Sequence, residues 1–588
     1  MSALLDITLP RSLDLLLEQA ARERPERLEA WVFEDEAARR EAERALAELG
    51  IAARIRSAYK PLLHAWLEGE LALPAGWRLL LITVAPAVLQ RLKVEAYPLA
   101  ALLGEGELGF ETDAALPQTE ARVSADGRPL ATLFVPIDQA FAPLAWRRSW
   151  RAGRLIEDAA LAGCDYRAAY EAAMAAVAGH HWGKTEPYFE QLRIEVEIGG
   201  IERALPYDEE LISTREALHE DCYFAVLEFF QRRAGRPPGD RTLRPGQIIP
   251  DIRAAAGRTR VRVLLSAPAP QAQSSEPVLV DDLAVQAAPL SPEAVAAWLA
   301  PLQGERFACL SHQGRPVTGL HRRGTKPGIV ISAGQHANES SGVVGALRAV
   351  QVLQQQDQAH YALVALENPD GAALHQALIR GNPRHMHHAA RYTALGDDLE
   401  ARSGAELGEK AARQEAIART GAGLHFSLHG YPAHEWTRPF AGYLPPGFED
   451  WALPRGFFLI LRRHPGRDGL AFLEALSAGL AQDPALAALN ARQQRLWRAH
   501  WVDADTAPLL LNGIPCLIQD DSRSTVPFTL ITEFPDETVY GEAFVLAQRT
   551  QMRTVLLGAE LYWQGLLGEA RAGAAVAPRR AAPAQVSE

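Results

Sequence analysis

Hydrophobic and polar positions follow two rhythms along this chain, and the change falls near residue 285. Before it, helical and strand-like patterns are interspersed. Residues 1–27 read as an amphipathic helix, with apolar residues at helical spacing over 12–23 and again over 36–49. Short apolar runs at 51–55 and 79–84 predict strands, and 119–135 predicts a hairpin that turns at Ala125-Asp126-Gly127. The alanine-rich 157–179 predicts a helix, LRIEVEI at 192–198 alternates like a half-buried strand, 208–233 predicts a long helix, and 259–266 another strand. Together these make an α+β region of one or two subdomains, with no repeat and no motif that names its role.

A loose segment follows. APAPQAQSSE at 267–276 has linker composition, and Ser291 then reads as an N-cap with Pro292 at the first helical position. Beyond it strands and helices alternate: strands at 329–332, 362–366, 423–428 and 528–532, and helices at 341–356, in two stretches between 470 and 500, and at 539–567. Asn368-Pro369-Asp370-Gly371 reads as a turn. Alternation of this kind predicts an α/β domain with a mixed, mostly parallel central sheet flanked by helices. The expected layout is an α+β region at 1–285, an α/β domain at 286–567 and a patternless, disordered tail at 568–588.

Composition narrows the function classes. A chain of 588 residues with 48% hydrophobic content can build more than one core. The net charge of −12, with no concentrated basic run, argues against a nucleic-acid partner. The most apolar stretch, 77–104, is broken by Arg78, Arg91, Lys93 and Glu95, so no membrane span is expected, and residues 1–27 lack the organisation of a signal peptide. Cys164, Cys222, Cys309 and Cys516 are far apart and form no C-x-x-C pair, which fits a reducing, cytoplasmic setting.

The candidate chemistry sits where predicted strands end: His336 and Glu339, Asn368 to Asp370, His429, and Glu533. Ligands of α/β sheets bind at the carboxyl ends of strands. Imidazole and carboxylate are zinc donors, and a catalytic zinc site takes three protein ligands with one position open.

In order, His336-x-x-Glu339, Asn368-Pro369-Asp370-Gly371, Gly396-Asp397-Asp398-Leu399, Ser427-Leu428-His429-Gly430 and Thr532-Glu533 resemble the zinc metallocarboxypeptidase family. Ser311-His312-Gln313-Gly314-Arg315-Pro316 is similar to that family's opening hairpin, and the likeness covers about residues 290–565. The resemblance implies one zinc per chain held by His336, Glu339 and His429, with Glu533 as the general base that activates the zinc-bound water. It implies that Asp398 orients the first histidine, and that an arginine, Arg384 with Arg380 as runner-up, stabilises the oxyanion.

Two departures bear on substrate. Where the family has Asn-Arg to grip a C-terminal carboxylate, this chain has Glu400-Ala401, followed by Arg402. No tyrosine lies between Tyr443 and Tyr540, where the family carries a mobile one, although Tyr431 and Tyr443 are within reach of the metal in principle. Glu400 is expected to read a substrate cation, and Arg402 or Arg523 of the polar loop 520–524 to anchor an anion. Two further clusters stand out. His385-Met386-His387-His388 is read as surface or pocket lining, and His434-Glu435-Trp436 as pocket rim. The expectation is a zinc-dependent hydrolase of a peptide or small amide, with no nucleic-acid or membrane partner and an oligomeric state left open. The alternatives are an N-acyl amino acid deacylase of the aspartoacylase-like branch, or an inert binding protein on the same fold.

Overall fold

The computed structural model describes residues 2–268, 279–404, 406–444, 451–501 and 508–569. Most of the 267–276 linker segment and residues 570–588 of the expected 568–588 tail lie outside the described residues, whereas Gly568–Glu569, at the start of that tail, pairs as a short strand with Arg467–Asp468. Within them the chain is mixed α/β. No helix among the described residues is long and apolar enough to cross a membrane.

The site is positioned by a nine-stranded sheet. In spatial order its strands are Glu305–Leu310, Pro316–Arg322, Tyr361–Val364, Ile329–Ala333, Leu424–Pro432, Phe528–Glu537, Phe458–Arg463, Ile514–Asp520 and Leu509–Leu511. The expectation of a mostly parallel sheet holds only at its centre. Tyr361–Val364, Ile329–Ala333, Leu424–Pro432 and Phe528–Glu537 run parallel, as do Phe458–Arg463 and Ile514–Asp520. The other four pairings are antiparallel, three of them towards the two edges. All five residues of Ile329–Ala333 are buried, as expected of a strand covered on both faces. Helices Ser341–Leu353 and Glu542–Trp563 cover one face. They approach so closely that a Cβ on Gly345 would lie 2.5 Å from the Gln551 Cβ, so only glycine fits there.

Residues before 267 build three four-stranded sheets, among them Ser2–Leu9, Thr259–Ser266, Gln191–Ile198 and Gln247–Ala254. Three expectations change here, the first because a distant partner overrides local propensity and the other two because of neighbouring pairing and capping. Residues 2–9 form a strand, paired antiparallel with Thr259–Ser266, and the helix begins only at Ser12. The first part of 157–179 belongs to the strand Arg154–Ala160, paired with Trp146–Arg151, and the helix starts at Asp165. The long helix starts at Thr214 rather than 208, where Ser213 caps it by accepting from the Glu216 N–H. In the second half, Asn368-Pro369-Asp370-Gly371 opens a helix instead of a free turn. Asn368 is the N-cap, accepting from the Gly371 N–H, and Pro369 occupies the first turn.

Helix Thr214–Arg233 lies between the two halves, with fifteen of its twenty residues buried. Glu216 pairs with His434 at 2.7 Å, and the Asp221 carboxylate accepts from the backbone N–H groups of Phe440 and Ala441. Nearby, Lys60 and Glu435 form a buried ion pair at 2.7 Å. His434 and Glu435 therefore bind the two halves together, and of their trio only Trp436 reaches the cavity described below. The four cysteines are free, three of them buried.

Candidate metal and active site

The sheet delivers the candidate ligands from three directions. Ile329–Ala333 ends at Gly334, whose φ of +62° is a left-handed conformation that a side chain would strain. That turn reverses the chain, so His336 and Glu339 lie at the strand's carboxyl end, just before helix Ser341–Leu353. Leu424–Pro432 continues past the predicted end and carries His429 within it. Phe528–Glu537 likewise carries Glu533 within the strand, directly opposite His429 in the parallel register. Neighbours in a parallel pair project to the same face, so the imidazole and the carboxylate share one side of the sheet.

Glu339 is the hub. Its Oε1 lies 2.8 Å from His336 Nδ1 and its Oε2 lies 2.8 Å from His429 Nδ1, while the two Nδ1 atoms are 3.2 Å apart. The Gly430 N–H donates to Oε2 at 3.1 Å. The far ring nitrogens have their own partners. His429 Nε2 faces Ser427 Oγ at 3.1 Å, and His336 Nε2 faces Asp398 Oδ1 at 3.4 Å. A ring that donates from Nε2 presents a lone pair at Nδ1. Two such lone pairs 3.2 Å apart repel unless a cation sits between them, and the donor set of two imidazoles and one carboxylate is one that zinc takes. The residues present therefore fit a divalent metal.

Electrostatics keep the central carboxylate ionised. Burial raises the Glu339 carboxyl, but His336, Arg391 and His429 outweigh it and hold it well below the usual range. Burial lowers His429, and Glu339 only partly offsets this. Burial raises Asp398, yet His336 beside it holds it down. Glu533 goes the other way. Burial and the neighbouring Glu339 charge push it well above the ordinary carboxyl range. A buried carboxyl poised to hold a proton lies next to one kept ionised.

His336, His429, Asp398, Arg391 and Glu533 line a cavity of about 770 Å³, and Glu339 lies behind the two imidazoles. Of the residues singled out from sequence, the fold brings His336, Glu339, His429, Asp398 and Glu533 together, with Glu400, Arg402 and Arg523 further along the wall. Arg380 and Arg384 are not among the lining residues. Arg380 is exposed, and Arg384, its side chain 41% exposed, pairs with Glu209 at 3.3 Å. The arginine at the site is Arg391, which donates to Glu339 and lies 3.8 Å from Glu537. Sequence spacing held no signal for it, because it belongs to the four-residue helix His388–Arg391 that only the fold lays against Glu339.

The substrate-facing expectations change too. Glu400 is held down to about 2, since burial is outweighed by Arg413, Lys410 and Arg462. Its charge is already matched, with Arg413 at 3.1 Å and Arg462 at 3.5 Å, so it is not free to read a substrate cation. Arg402 is saturated by Asp397, Glu409 and Thr393 and braces the loop. Arg523, its side chain 69% exposed, lies on Asp521. Tyr431 has its hydroxyl fixed, donating to the Gly456 carbonyl at 2.6 Å, and Tyr443 packs under Arg91 away from the cavity. Asp370 clamps the opening hairpin instead of facing substrate, accepting from Ser311 Oγ and the Gln313 N–H.

No family model and no curated protein matches the chain. Among solved structures it is similar to a metallo-carboxypeptidase from Burkholderia cenocepacia, at 15% identity over 52% of this chain and 76% of that one, with a TM-score of 0.29. A metallo-carboxypeptidase from Pseudomonas aeruginosa stands at 17% over 53% and 76%, with a TM-score of 0.28. Carboxypeptidase A from Helicoverpa armigera stands at 11% over 58% and 95%, with a TM-score of 0.32. Scores this low do not by themselves establish a shared fold.

Proposed function

We propose that the chain is a zinc-dependent hydrolase of a peptide or other amide bond. One observation carries this reading: the convergence of His336 Nδ1, His429 Nδ1 and the Glu339 carboxylate beside Glu533 in one large cavity. The ordered sequence motifs support it. His336, Glu339 and His429 hold the metal. When bound, zinc supplies Lewis acidity, polarising the amide carbonyl and lowering the pKa of water towards neutrality. Glu533 takes a proton from the attacking water and returns it to the departing amine, a task suited to a carboxyl whose proton affinity burial has raised. Asp398 and Ser427 keep the two imidazoles in the ligating tautomer. Arg391 stabilises the negative charge that develops on the carbonyl oxygen, the role expected of Arg384 from sequence. With the Glu400 charge already matched by Arg413, Lys410 and Arg462, the cavity wall offers a cationic substrate no free carboxylate there, which favours a neutral or carboxylate-bearing amide.

The test loads the chain with zinc and incubates it with a mixed library of α-peptides, γ-peptides and N-acyl amino acids, with products read by mass. New amines should appear with the wild type and not with Glu533→Gln. Equal product from both would end the assignment of the base, and no product from any class would end the hydrolase reading.

A further inference from the structure

A second group of two histidines and a glutamate lies where the halves of the molecule meet. His219 and Glu220 come from the buried middle of helix Thr214–Arg233, and His388 from the start of the short helix that also carries Arg391. They are 1%, 0% and 4% exposed. One donor atom from each lies within 4.8 Å of the others, with His388 Nδ1 at 3.1 Å from Glu220 Oε1. Donors around one tetrahedral zinc at ordinary bond lengths stand about 3.3 Å apart, so that pair already has the spacing of two ligands on one ion.

Two atoms of the group are unexplained by the protein alone. Among the described residues, His219 Nε2 and Glu220 Oε2 have no hydrogen-bond partner, although both are buried. The His219 ring is hydrogen-bonded to the Pro250 carbonyl, and since Nε2 has no partner this makes Nδ1 the donor and leaves the Nε2 lone pair bare. Bare buried acceptors are costly. His500 shows how the same molecule treats a buried imidazole with a purely structural role. Its Nδ1 donates to the Lys93 carbonyl at 2.7 Å and its Nε2 accepts from the Ala100 N–H at 3.2 Å. The carboxylates flanking Glu220 on the helix are likewise satisfied, Glu216 by His434 and Asp221 by backbone N–H groups. Other buried atoms also lack a partner, among them His385 Nδ1 and His387 Nδ1, but among the described residues only this group and His336–Glu339–His429 bring three donor atoms close enough together to hold one ion.

We propose that His219, Glu220 and His388 form a second metal site, for a divalent first-row transition ion such as zinc, that pins helix Thr214–Arg233 to the wall of the cavity. Two imidazole nitrogens and one carboxylate oxygen suit zinc and its neighbours and not calcium or magnesium, which take oxygen ligands. The site explains one histidine of the His385-Met386-His387-His388 run. His385 instead pairs with Glu202 at 3.0 Å, and His387 donates from Nε2 to the Asn382 carbonyl at 2.9 Å. It does not depend on the hydrolase reading, because none of its ligands is shared with the first group.

The test uses the full chain and zinc alone, with bound metal counted by elemental analysis after dialysis and the fold checked by circular dichroism. Wild type should hold two zinc ions per chain, Glu220→Gln and His219→Gln one each, His336→Ala one, and His336→Ala/Glu220→Gln none. In the His336→Ala background, zinc should raise Tm and a chelator should reverse the rise. A chain in which Glu220→Gln and His219→Gln lose no metal overturns the site. If those variants do not fold, cobalt titration of the wild type decides, since a break at two equivalents supports the site and a break at one overturns it. Metal lost in His336→Ala alone would leave the hydrolase reading and remove this site, and metal lost in Glu220→Gln alone would do the reverse.

Discussion

The molecule carries two His–Glu–His groups of the same composition, and they differ in what faces the carboxylate. Around Glu339 the fold has placed Arg391 and a backbone N–H, and both imidazoles are oriented by partners on their far nitrogens. Around Glu220 it has placed one imidazole on one oxygen, while burial and other carboxylates push the group well above its ordinary range. The first group opens on a large cavity with Glu533 beside it, and the second is sealed at a helix interface with only His388 reaching that cavity. On the two proposals made above, the same donors would serve a reacting site where space, a second carboxyl and an arginine are present, and a cross-link where they are not.

The comparison breaks most easily at Glu533, which has no counterpart near Glu220. Glu533→Gln should lower kcat by about 10²–10⁴ with both metal ions retained, as expected when proton transfer is removed. Unchanged turnover would erase the functional difference between the two groups. Arg391 is the next lever. Arg391→Ala should lower kcat by about 10²–10³, the scale of losing an oxyanion partner, while Arg384→Ala stays within about twofold. The reverse order, measured in the same product assay, would restore the arginine expected from sequence. Asp398→Asn should weaken zinc at the first group by about 10–100-fold and leave the second untouched, because only His336 depends on it. Competition with a chelator of known affinity reads both values.

The sharpest control is His500, which needs no metal. Burial holds it down to about 3, against an ordinary 6.5 in the unfolded chain. Between those values the unfolded state binds a proton that the folded state refuses. Its contribution is therefore complete above pH 6.5 and is lost as pH falls towards 3. His500→Gln should make the loss of stability in that window shallower by up to about 1.4 kcal/mol per pH unit, measured by denaturant unfolding of metal-free protein. An unaltered slope would mean that the imidazole is not held neutral in the folded chain.

Much of the first group was legible in advance because its geometry is local. His336 and Glu339 are three residues apart after a turn that Gly334 permits, and His429 and Glu533 sit on strands with a clear apolar rhythm. The hairpin at Ala125-Asp126-Gly127 was legible for the same reason, since its turn residues and flanking alternation are neighbours in the chain. Arg391 was not. Arg384 follows Asn368-Pro369-Asp370-Gly371 in the chain, but that segment starts a helix, and packing rather than spacing places the residues beyond it. The cations around Glu400 were also hidden, since Arg413 reaches back from the next helix, Lys410–Thr420, and Arg462 comes from a strand 62 residues on.

Sequence by itself determined that His336, Glu339, His429 and Glu533 follow one another at or near strand ends, and the α/β character of the second half. Those follow from side-chain period and turn chemistry, which act over a few residues. Tertiary structure decided that residues 2–9 are a strand, which arginine meets Glu339, what Glu400 is free to bind, and that a helix from the first half brings His219 and Glu220 to His388. Each of these depends on contacts between residues tens to hundreds of positions apart. Burial and charge pairing there are set by the packed whole, and no local pattern encodes them.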